Sequence, residues 1–480
     1  MNSASNSVLI EKLNEYKKYD EEYVNRNLNE NLQYLREVKI VVLDDDPTGI
    51  QTVHDIPVYT DWKEKTMEQA FLADDHMFFI LTNSRGLTEK QSESLHKDAM
   101  NAICDAAAKT EKNFIIVSRS DSTLRGHFPM ETEVIRQVLE TRGYGKLDGE
   151  IICPFFKDGG RYTIDNIHYV QEGNILTPAG MTEFAKDKTF GYHESDLCAW
   201  CEEKSQGKYK AEDVTAITLE DLRSCNYEKI TSQLCEVHDF NKVIVNSIDE
   251  MDIKVFITAF VDAVKMGKKF IFRSAAVIPK ILGGVKDKEL LTVEELRQGA
   301  GNGGGIVLIG SHVYKTTKQM EYLQNSDLPL HFIQFNQHLV LEDDRFQKEI
   351  DRVVKETDEL IEQGKSVVVY TRRERFDLSD GDKDAQLMIS VKISDAITGL
   401  IGKLRKRPSF IVAKGGITSS DVGTKSLQVR KAMVMGQICP GVPVWKLGEE
   451  SKFPGMPYVI FPGNVGSEET LTDAVRKLMS

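Results

Sequence analysis

Short apolar runs and longer amphipathic segments alternate along most of the chain. From Lys39 onwards, strand-like runs such as KIVVLD, MFFILT and NFIIVS are separated by helix-like segments such as TEKQSESLHKDAMNAICDAAAK. Fully apolar strands that alternate with helices are typical of βαβ units, in which helices cover both faces of a mostly parallel sheet. The pattern therefore predicts an α/β fold.

One interruption divides this alternation into two parts. Between Lys280 and Gly305 the sequence is rich in charged residues and glycine, as is typical of a linker. A chain of 480 residues is also too long for one ordinary core. We therefore predict two α/β domains, each a mostly parallel sheet flanked by helices, with the active site in the cleft between them. The predicted order is a helical N-terminal extension (1–36), a first domain (37–285), a linker (286–304) and a second domain (305–480).

The composition narrows the classes of partner and compartment. The formal net charge of −13 argues against nucleic acid, because phosphate binding requires a basic face. No apolar run reaches the roughly 18 residues of a membrane span, and the N-terminus lacks the apolar core of a signal peptide. The seven scattered cysteines are typical of a reducing, cytoplasmic environment. Cys198 and Cys201 form a CxxC pair, but a second pair to complete a zinc site is missing, so coincidence is favoured over metal binding.

Three adjacent carboxylates mark the end of the first apolar strand. Asp44, Asp45 and Asp46 follow KIVVL and precede Pro47 and Gly49. In open α/β sheets ligands bind beyond the carboxyl ends of the strands, so these acids are expected to face a crevice. The alternative is a solvated acidic turn, but such a turn rarely needs more than one aspartate.

Arginines follow other strand candidates in the same half of the chain. The candidate residues in these loops are Arg85, Arg119, Asp121, Ser122, Arg125 and Arg161. A guanidinium group can bind a carboxylate or a phosphate through two parallel hydrogen bonds. A network of surface salt bridges is the alternative interpretation. The convergence of acids and arginines at successive strand ends favours a pocket for an anionic substrate.

Three glycine-containing turns follow strand candidates in the second half. They are GSH after IVLI, KGGITS after FIVA and PGNVG after YVIF, and each offers bare backbone N–H groups suited to phosphate. The candidate nucleotide-binding residues are Ser311, Lys414, Gly415, Gly416, Ile417, Thr418, Gly463 and Asn464. Neither the dinucleotide-binding fingerprint GxGxxG nor a P-loop is present. The run Gly301–Gly305 precedes a strand instead of opening a helix, and Gly423–Ser426 lacks the earlier glycine of a P-loop.

Taken in order, the motifs DDDPTG, SDSTLRG, PFFKDGGR, GSHV, KGGITS and PGNVG resemble those of the four-carbon acid sugar kinase family. The resemblance covers roughly Lys39 to the C-terminus and leaves out the N-terminal extension. DSTLRG is the most specific of these motifs. The sequence departs from the residues usual in that family at four positions, Pro47, Thr52, Arg119 and Ile417.

The resemblance implies an ATP-dependent kinase that phosphorylates the terminal hydroxyl of a four-carbon sugar acid such as threonate, erythronate or 3-oxo-tetronate. It implies that the first domain binds the acid and the second binds ATP. For such a reaction, Asp45 or Asp46 is the candidate that takes or orients the hydroxyl proton, with Asp121 in reserve. The arginines of the first domain and Ser122 are candidates for holding the substrate, and Mg²⁺ is expected to bridge the ATP phosphates.

Two alternatives come from other classes of protein. A non-catalytic, two-lobed protein that binds an acidic metabolite would use the same arginines, but it would not need both the acids and the three glycine turns. An oxidoreductase is disfavoured because the dinucleotide fingerprint is missing. The sequence predicts small-molecule partners, no nucleic acid, no membrane and a cytoplasmic location. It leaves open the identity and stereochemistry of the sugar acid, homo-oligomerisation, the metal ligands, which acid is the base, and the role of the N-terminal extension.

Overall fold

The protein is described by a computed structural model that covers residues 7–378, 383–463 and 465–480. Its internal contacts divide the chain into two compact units. The first unit contains Met1–Thr52 and Asp61–Lys286, and the second contains Val53–Thr60 and Asp287–Ser480. In the part of the chain that the structure describes, no helix combines the length and the apolar character that crossing a membrane requires.

The strands and helices alternate as the apolar pattern predicts. In chain order, the strands are β1 (Val8–Leu9), β2 (Val38–Asp44), β3 (Ile56–Tyr59), β4 (Met77–Leu81), β5 (Asn113–Arg119), β6 (Gly149–Cys153), β7 (Arg161–Ile164), β8 (Ile167–Glu172), β9 (Ile175–Pro178), β10 (Thr215–Ile217), β11 (Asn241–Val245), β12 (Phe270–Ser274), β13 (Ile306–Ile309), β14 (Leu330–Phe335), β15 (Ser366–Thr371), β16 (Ile411–Lys414), β17 (Lys431–Cys439), β18 (Val442–Leu447) and β19 (Pro457–Phe461). The α-helices are α1 (Glu21–Leu32), α2 (Glu64–Leu72), α3 (Glu89–Thr110), α4 (Met130–Thr141), α5 (Leu197–Lys204), α6 (Leu219–Arg223), α7 (Tyr227–Glu236), α8 (Glu250–Lys265), α9 (Val277–Leu282), α10 (Val293–Arg297), α11 (Tyr314–Gln324), α12 (Asp343–Glu362), α13 (Lys383–Lys403), α14 (Gly416–Asp421) and α15 (Thr470–Met479).

The main sheet of the first unit is parallel throughout, in the order β10-β11-β6-β12-β5-β2-β4. Its strand β2 lies between β4 and β5, and its residues from Ile40 to Leu43 are almost completely buried. A strand that is apolar on both faces must be covered on both faces, and helix α9 packs against β2. A capping box at Thr88 and Gln91 starts α3.

A small antiparallel sheet accompanies the parallel one in the first unit, in the order β1-β9-β8-β7. Most of it comes from the region between 157 and 240, whose elements the sequence pattern does not order. The N-terminal segment contributes β1 to this sheet and α1 to the outside of α8, where Val24 and Leu28 are buried. The side chain of Asn31 on α1 donates to the Thr258 carbonyl oxygen on α8.

The second unit has a mixed sheet in the order β3-β17-β18-β19-β16-β13-β15-β14. The strands from β19 to β14 are parallel, and β18, β17 and β3 add antiparallel pairings. The predicted fold class, two α/β domains with mostly parallel sheets flanked by helices, is confirmed. Where the active site lies relative to the two units stays a prediction.

One strand of the second unit comes from an unexpected part of the chain. Residues 53–60 fall inside the predicted first domain (37–285), yet β3 pairs with β17 in the second unit. Antiparallel pairing between such distant segments leaves no periodic signal in either one, so hydrophobic patterning does not reveal it.

The segment predicted as a linker, 286–304, is folded onto the second unit. Leu291 and Leu296 belong to a hydrophobic core that includes Val307 and Ile438. The Leu291 N–H donates to the Gln437 carbonyl oxygen over 2.8 Å. The glycines and charges of this segment are compatible with a linker, but two leucines at buried positions anchor it. The segment is therefore part of a packed core and does not behave as a free tether.

Replacing Leu291 with alanine tests this packing. Leu291 is fully buried, whereas the neighbouring Leu290 is 43% exposed and is a matched control. We expect Leu291→Ala to lower the free energy of unfolding by about 2–5 kcal/mol, because it leaves a cavity, and Leu290→Ala to change it by less than about 0.5 kcal/mol. Urea unfolding of both variants measures the difference. Equal, small effects at the two positions would show that the segment does not stabilise the second unit.

Candidate functional site

The carboxyl ends of β2, β4 and β5 bring the predicted acids and arginines of the first unit together. In the sheet register Asp44 pairs with Leu81 on β4 and with Arg119 on β5, so these residues lie at the same level. The Asp45 N–H donates to the Arg119 carbonyl oxygen, which continues the ladder past the end of β2. The loops that leave this edge carry Arg85 and Asp121. Parallel strands thus place the predicted residues at one edge of the sheet.

Arg85 is the centre of this cluster. Its Nε and NH2 atoms donate to the two oxygens of Asp45 over 3.0 and 2.5 Å, a bidentate pair. Its NH1 atom lies 3.4 Å from Asp46 Oδ2 and 3.9 Å from Asp121 Oδ1. We predicted that Arg85 binds substrate, but the structure directs its guanidinium group to the carboxylates of the protein itself. Arg85 therefore fixes the positions of the predicted catalytic acids.

The acids of the DDD run have different environments. Asp45 is buried and both its oxygens are taken by Arg85. The side chain of Asp46 is 20% exposed, and its Oδ1 accepts hydrogen bonds from the N–H and the hydroxyl of Thr48. Burial acts to raise the pKa of Asp46, but Arg85 and the bonds from Thr48 outweigh it and hold that pKa below its ordinary value. Asp46 is thus an ionised carboxylate with an accessible edge.

Asp44 has the opposite electrostatic character. It is only 1% exposed, and Gly49 packs so closely that a Cβ there would lie 2.1 Å from the Asp44 oxygens. Burial raises the pKa of Asp44 to about 8, against the charge of Arg119, and the carboxylates of Asp45 and Asp46 raise it further. Asp44 therefore stays protonated at neutral pH, and it is withdrawn from the surface of the site.

The DSTLRG loop places Asp121 opposite the DDD run. The Nε atom of Arg125 donates to Asp121 Oδ2 over 2.7 Å, and the Thr123 hydroxyl donates to the same oxygen. Burial opposes ionisation of Asp121, but the charges of Arg85 and Arg125 hold its pKa well below the ordinary value. Asp121 is thus a second ionised carboxylate at this edge.

Arg119 and Ser122, both predicted to bind substrate, lie below the surface of the site. Arg119 is 5% exposed, and its NH1 atom is 3.4 Å from Asp44 and 3.6 Å from Asp45. Ser122 is buried, and its carbonyl oxygen contacts Nε2 of the buried His168 over 2.8 Å. Arg119 is the last residue of β5 and Ser122 lies in the loop that follows it, so both residues stay next to the sheet. Their contacts are therefore with the protein itself.

Arg161, at the start of β7, has a different environment from the other arginines of the site. Among the described residues it forms no ion pair, and its buried Nε atom has no hydrogen-bond acceptor. The guanidinium groups of Arg161 and Arg125 lie over the ring of Phe184, 5.5 and 5.1 Å from its centroid. Among the described residues, Arg161 therefore has the charge of Asp121 nearby but no direct ion pair, and it lies beside Arg125.

Two residues that support the site were missed by sequence reasoning. Glu131 is buried, and it accepts a hydrogen bond from the Ser84 hydroxyl over 2.8 Å. Its other oxygen lies 3.6 Å from NH1 of Arg273, whose NH2 donates to the Arg125 carbonyl oxygen over 3.3 Å. Glu131 and Arg273 thus connect the loops that carry Arg85 and Arg125. The signal for Arg273 was present, since an arginine in the apolar run FIFRS occupies a strand end, as Arg119 does.

The three predicted glycine turns of the second unit lie side by side. In the sheet register Ile309, Lys414 and Phe461 are neighbours at the ends of β13, β16 and β19. Beside them is a cavity of 530 Å³, whose lining includes Gly310, His312, Arg373 and Thr418. A Cβ at Gly310 would lie 3.1 Å from the Thr418 hydroxyl, and Gly415 has a φ of +118°. A side chain at Gly310 would therefore narrow the space beside Thr418, and the positive φ of Gly415 is one that residues other than glycine rarely adopt.

Lys414 connects two of these turns from inside the unit. It is fully buried, and its Nζ donates to the carbonyl oxygens of Pro462 and Gly463 over 2.6 and 3.1 Å. Burial, together with repulsion from Lys315, lowers the pKa of the Lys414 ammonium to about 7. In this structure Lys414 therefore positions the turn at Gly463.

The remaining predicted residues of the second unit differ in exposure. Ile417 is 72% exposed and Thr418 is buried, whereas Ser311 follows β13 with its carbonyl oxygen bonded to Arg373. Gly416 opens α14 directly after Gly415. Asn464 lies outside the described residues.

Among the described residues, no cluster of at least three histidine, cysteine, aspartate or glutamate side chains has the proximity needed to hold a metal ion. Cys198 and Cys201 are free thiols inside the first unit, and burial raises the pKa of both. The expected Mg²⁺ therefore stays a prediction.

Two protein-family profiles match successive parts of the chain. The profile of a sugar-binding N-terminal domain matches residues 40–282, and that of a nucleotide-binding C-terminal domain matches residues 306–471. The chain belongs to the four-carbon acid sugar kinase family, in which these two domains occur together. The resemblance inferred from the sequence motifs is confirmed. A comparison with curated proteins found none with a significant match.

Solved structures share the fold over nearly the whole chain. A Haemophilus influenzae protein is 17% identical, with a TM-score of 0.60, and the match covers 91% of this chain and 100% of the other. A Salmonella typhimurium LT2 protein that carries the provisional name tRNA synthase is 15% identical, with a TM-score of 0.65 and coverages of 92% and 99%. At these identities the likeness establishes the fold alone.

The protonated state of Asp44 predicts a specific pH dependence of stability. The ordinary pKa of an aspartate is 3.8, and in the folded protein that of Asp44 is about 8. Between these values the folded chain keeps a proton that the unfolded chain releases, so unfolding releases a proton and rising pH favours it. We expect the free energy of unfolding to fall from pH 5 to pH 8, and to fall less in Asp44→Asn. Asp239→Asn, which changes a side chain that is 85% exposed, is the control. Urea unfolding at both pH values measures the difference, and identical pH dependences in wild type and Asp44→Asn would contradict the assignment.

Proposed function

We propose that the protein is an ATP-dependent kinase that phosphorylates the terminal hydroxyl of a four-carbon sugar acid of the threonate, erythronate or 3-oxo-tetronate class. One observation carries the proposal. A sugar-binding domain in which Arg161 forms no ion pair among the described residues is joined, in one chain, to a nucleotide-binding domain. The free guanidinium suits the acid group of such a substrate, and the second domain suits the phosphate donor.

In this proposal the carboxylate of the substrate binds to Arg161, with Arg125 beside it. Arg125 is held by Asp121 and Arg161 is not, so the incoming carboxylate would supply the acceptor that Arg161 lacks. Phe184 lies against both guanidinium groups and limits the directions in which they can move.

Asp46 is the acid best placed to act on the substrate hydroxyl. Asp45 has both oxygens bound by Arg85, and Asp121 Oδ2 is occupied by Arg125 and Thr123. Asp46 is ionised, is the most exposed of the three, and has its position fixed by Thr48. It would orient the hydroxyl and accept its proton as the phosphoryl group arrives.

The turns of the second unit would hold the nucleotide. The residues proposed for this contact are Ser311, Gly415, Gly416, Ile417, Thr418, Gly463 and Asn464. ATP bound there would supply the phosphoryl group, and Mg²⁺ would neutralise part of the phosphate charge. Lys414, which lies behind the turns, would keep Gly463 in position without contacting the nucleotide.

Release of ADP in the presence of a panel of four-carbon sugar acids tests the proposal directly. We expect ADP to form only when an acceptor acid is present, with mass spectrometry showing one phosphoryl group added to the acid. A non-catalytic binding protein would bind the acid in calorimetry without forming ADP. That outcome, obtained across the whole panel, would overturn the kinase assignment.

Removing the charge of Arg161 should weaken substrate binding selectively. A charge-assisted hydrogen bond contributes about 1.5–3 kcal/mol, so Arg161→Met is expected to raise KM for the sugar acid by about 10- to 100-fold. KM for ATP should change by less than about threefold. Arg142→Met is the matched control, since Arg142 is an exposed arginine of the same unit that pairs with Asp105. Equal KM values for wild type and Arg161→Met would place the substrate carboxylate elsewhere.

Replacing Asp46 with asparagine should remove catalysis and preserve binding. Asparagine keeps the shape of the side chain but cannot accept the hydroxyl proton, and general-base catalysis contributes about 10²–10⁴-fold. We therefore expect kcat to fall by that factor while both ligands still bind in calorimetry. Asp105→Asn, an exposed acid on α3, serves as the control. A loss of only two- to threefold in kcat would assign the role of the base to Asp45 or Asp121.

A further inference from the structure

Arg373 lies next to the glycine turns of the second unit, and neither its motif nor its position was singled out in the sequence. Strand β15 pairs with β13, and Tyr370 is the register partner of Ile309. The chain leaves β15 after Thr371, so Arg373 follows that strand end as Ser311 follows the end of β13. Arg373 therefore belongs to the same edge of the sheet as the turns.

The guanidinium group of Arg373 is held in a defined orientation. Its NH2 atom donates to the Ser311 carbonyl oxygen over 2.6 Å and to the Thr317 hydroxyl over 2.8 Å. Its Nε atom also donates to Thr317, over 3.3 Å. The NH1 atom is buried and has no acceptor among the described residues. The Nε and NH2 side of the guanidinium group is therefore fixed by the protein, and NH1 is left free to donate a hydrogen bond.

The neighbouring arginines differ from Arg373 in their partners. Arg372 pairs with Glu374 over 3.3 Å, and Arg375 pairs with Asp377 over 3.0 Å. Within the described ranges, no carboxylate forms an ion pair with Arg373. Arginine cannot lose its proton in a protein, so this position keeps a partly desolvated positive charge. A buried donor on such a charge is costly unless an acceptor reaches it.

The cavity that Arg373 lines has the chemistry of a nucleotide site. Of the described residues that line its 530 Å³, none is an aspartate or a glutamate. The lining combines the guanidinium group of Arg373 and the bare backbone of Gly310 with the apolar side chains of Phe376, Ile393 and Ile397. A ligand that matches this lining has an anionic group and an apolar group. Phosphate and base give a nucleotide these two properties.

We propose that Arg373 binds a phosphate group of the nucleotide through its free NH1 edge. This inference rests on the proposed function, since it assigns one residue of the donor site. Ser311 and Thr317 hold the guanidinium group in place, so little side-chain entropy is lost on binding. The phosphate supplies the acceptor that NH1 does not find among the described residues.

Calorimetry with ATP, ADP and adenosine on the full chain tests this proposal. We expect Arg373→Met to weaken ATP and ADP binding by about 10- to 100-fold and to leave adenosine binding within about twofold. Arg373→Lys keeps the charge without the fork, so it should recover part of the lost affinity. The control is Arg372→Met. Arg372 is the adjacent arginine, but it lies outside the cavity lining and pairs with Glu374.

The outcomes separate this proposal from a structural role and from the kinase assignment. Equal losses for ATP and adenosine in Arg373→Met would mean that Arg373 only supports the turn at Ser311, and unchanged ATP affinity would mean that it does not contact phosphate. Each result would overturn the inference. If Arg373→Met unfolds below the assay temperature, the same comparison is made with Arg373→Lys. A wild-type protein that binds ATP through Arg373 but phosphorylates no sugar acid would refute the kinase assignment and leave this inference standing.

Discussion

The bidentate ion pair between Arg85 and Asp45 is the contact on which the first site depends. Both groups are largely withdrawn from water, and Arg85 also approaches Asp46 and Asp121. Removing one partner of a buried pair leaves a charge without compensation, which costs about 3–5 kcal/mol. Arg85 therefore holds the carboxylates of Asp45 and Asp121, which belong to different loops. Buried Glu131 likewise connects two parts of the site, because it contacts both Ser84 and Arg273.

This arrangement separates the arginines into those that the protein uses itself and those that it leaves available. Arg85, Arg119 and Arg273 each approach at least one acid of the protein. Arg161 has no such partner among the described residues, and Arg373 holds an equivalent position in the second unit. An arginine that is ordered but has no ion pair is pre-organised for an anion, because most of its side-chain entropy is already lost before the anion binds. Such residues are informative about ligands even when no ligand is present.

Local signals in the sequence were sufficient to predict the strands and the acids at their ends. Runs such as KIVVLD are apolar on both faces, and the parallel register then brings Asp44 to the level of Arg119 without further information. The roles of individual arginines could not be predicted in this way. Arg85 and Arg161 look alike in sequence, and only the three-dimensional neighbourhood shows that carboxylates surround the first and an aromatic ring lies under the second. Glu131 and Leu291 were missed for the same reason, since burial depends on packing partners that are distant in the chain.

The origin of β3 has a consequence for how the protein is synthesised. The Thr60 hydroxyl donates to the Val429 carbonyl oxygen, a contact between residues that are 369 positions apart. A ribosome therefore releases β3 long before β17, and the second unit cannot complete its sheet until translation is almost finished. A fragment that begins after the first unit would lack β3 and would expose the backbone of β17 as an unpaired edge, which invites aggregation. A truncation that keeps the second unit intact must supply residues 53–60 as well, either as a separate peptide or fused through a new connection.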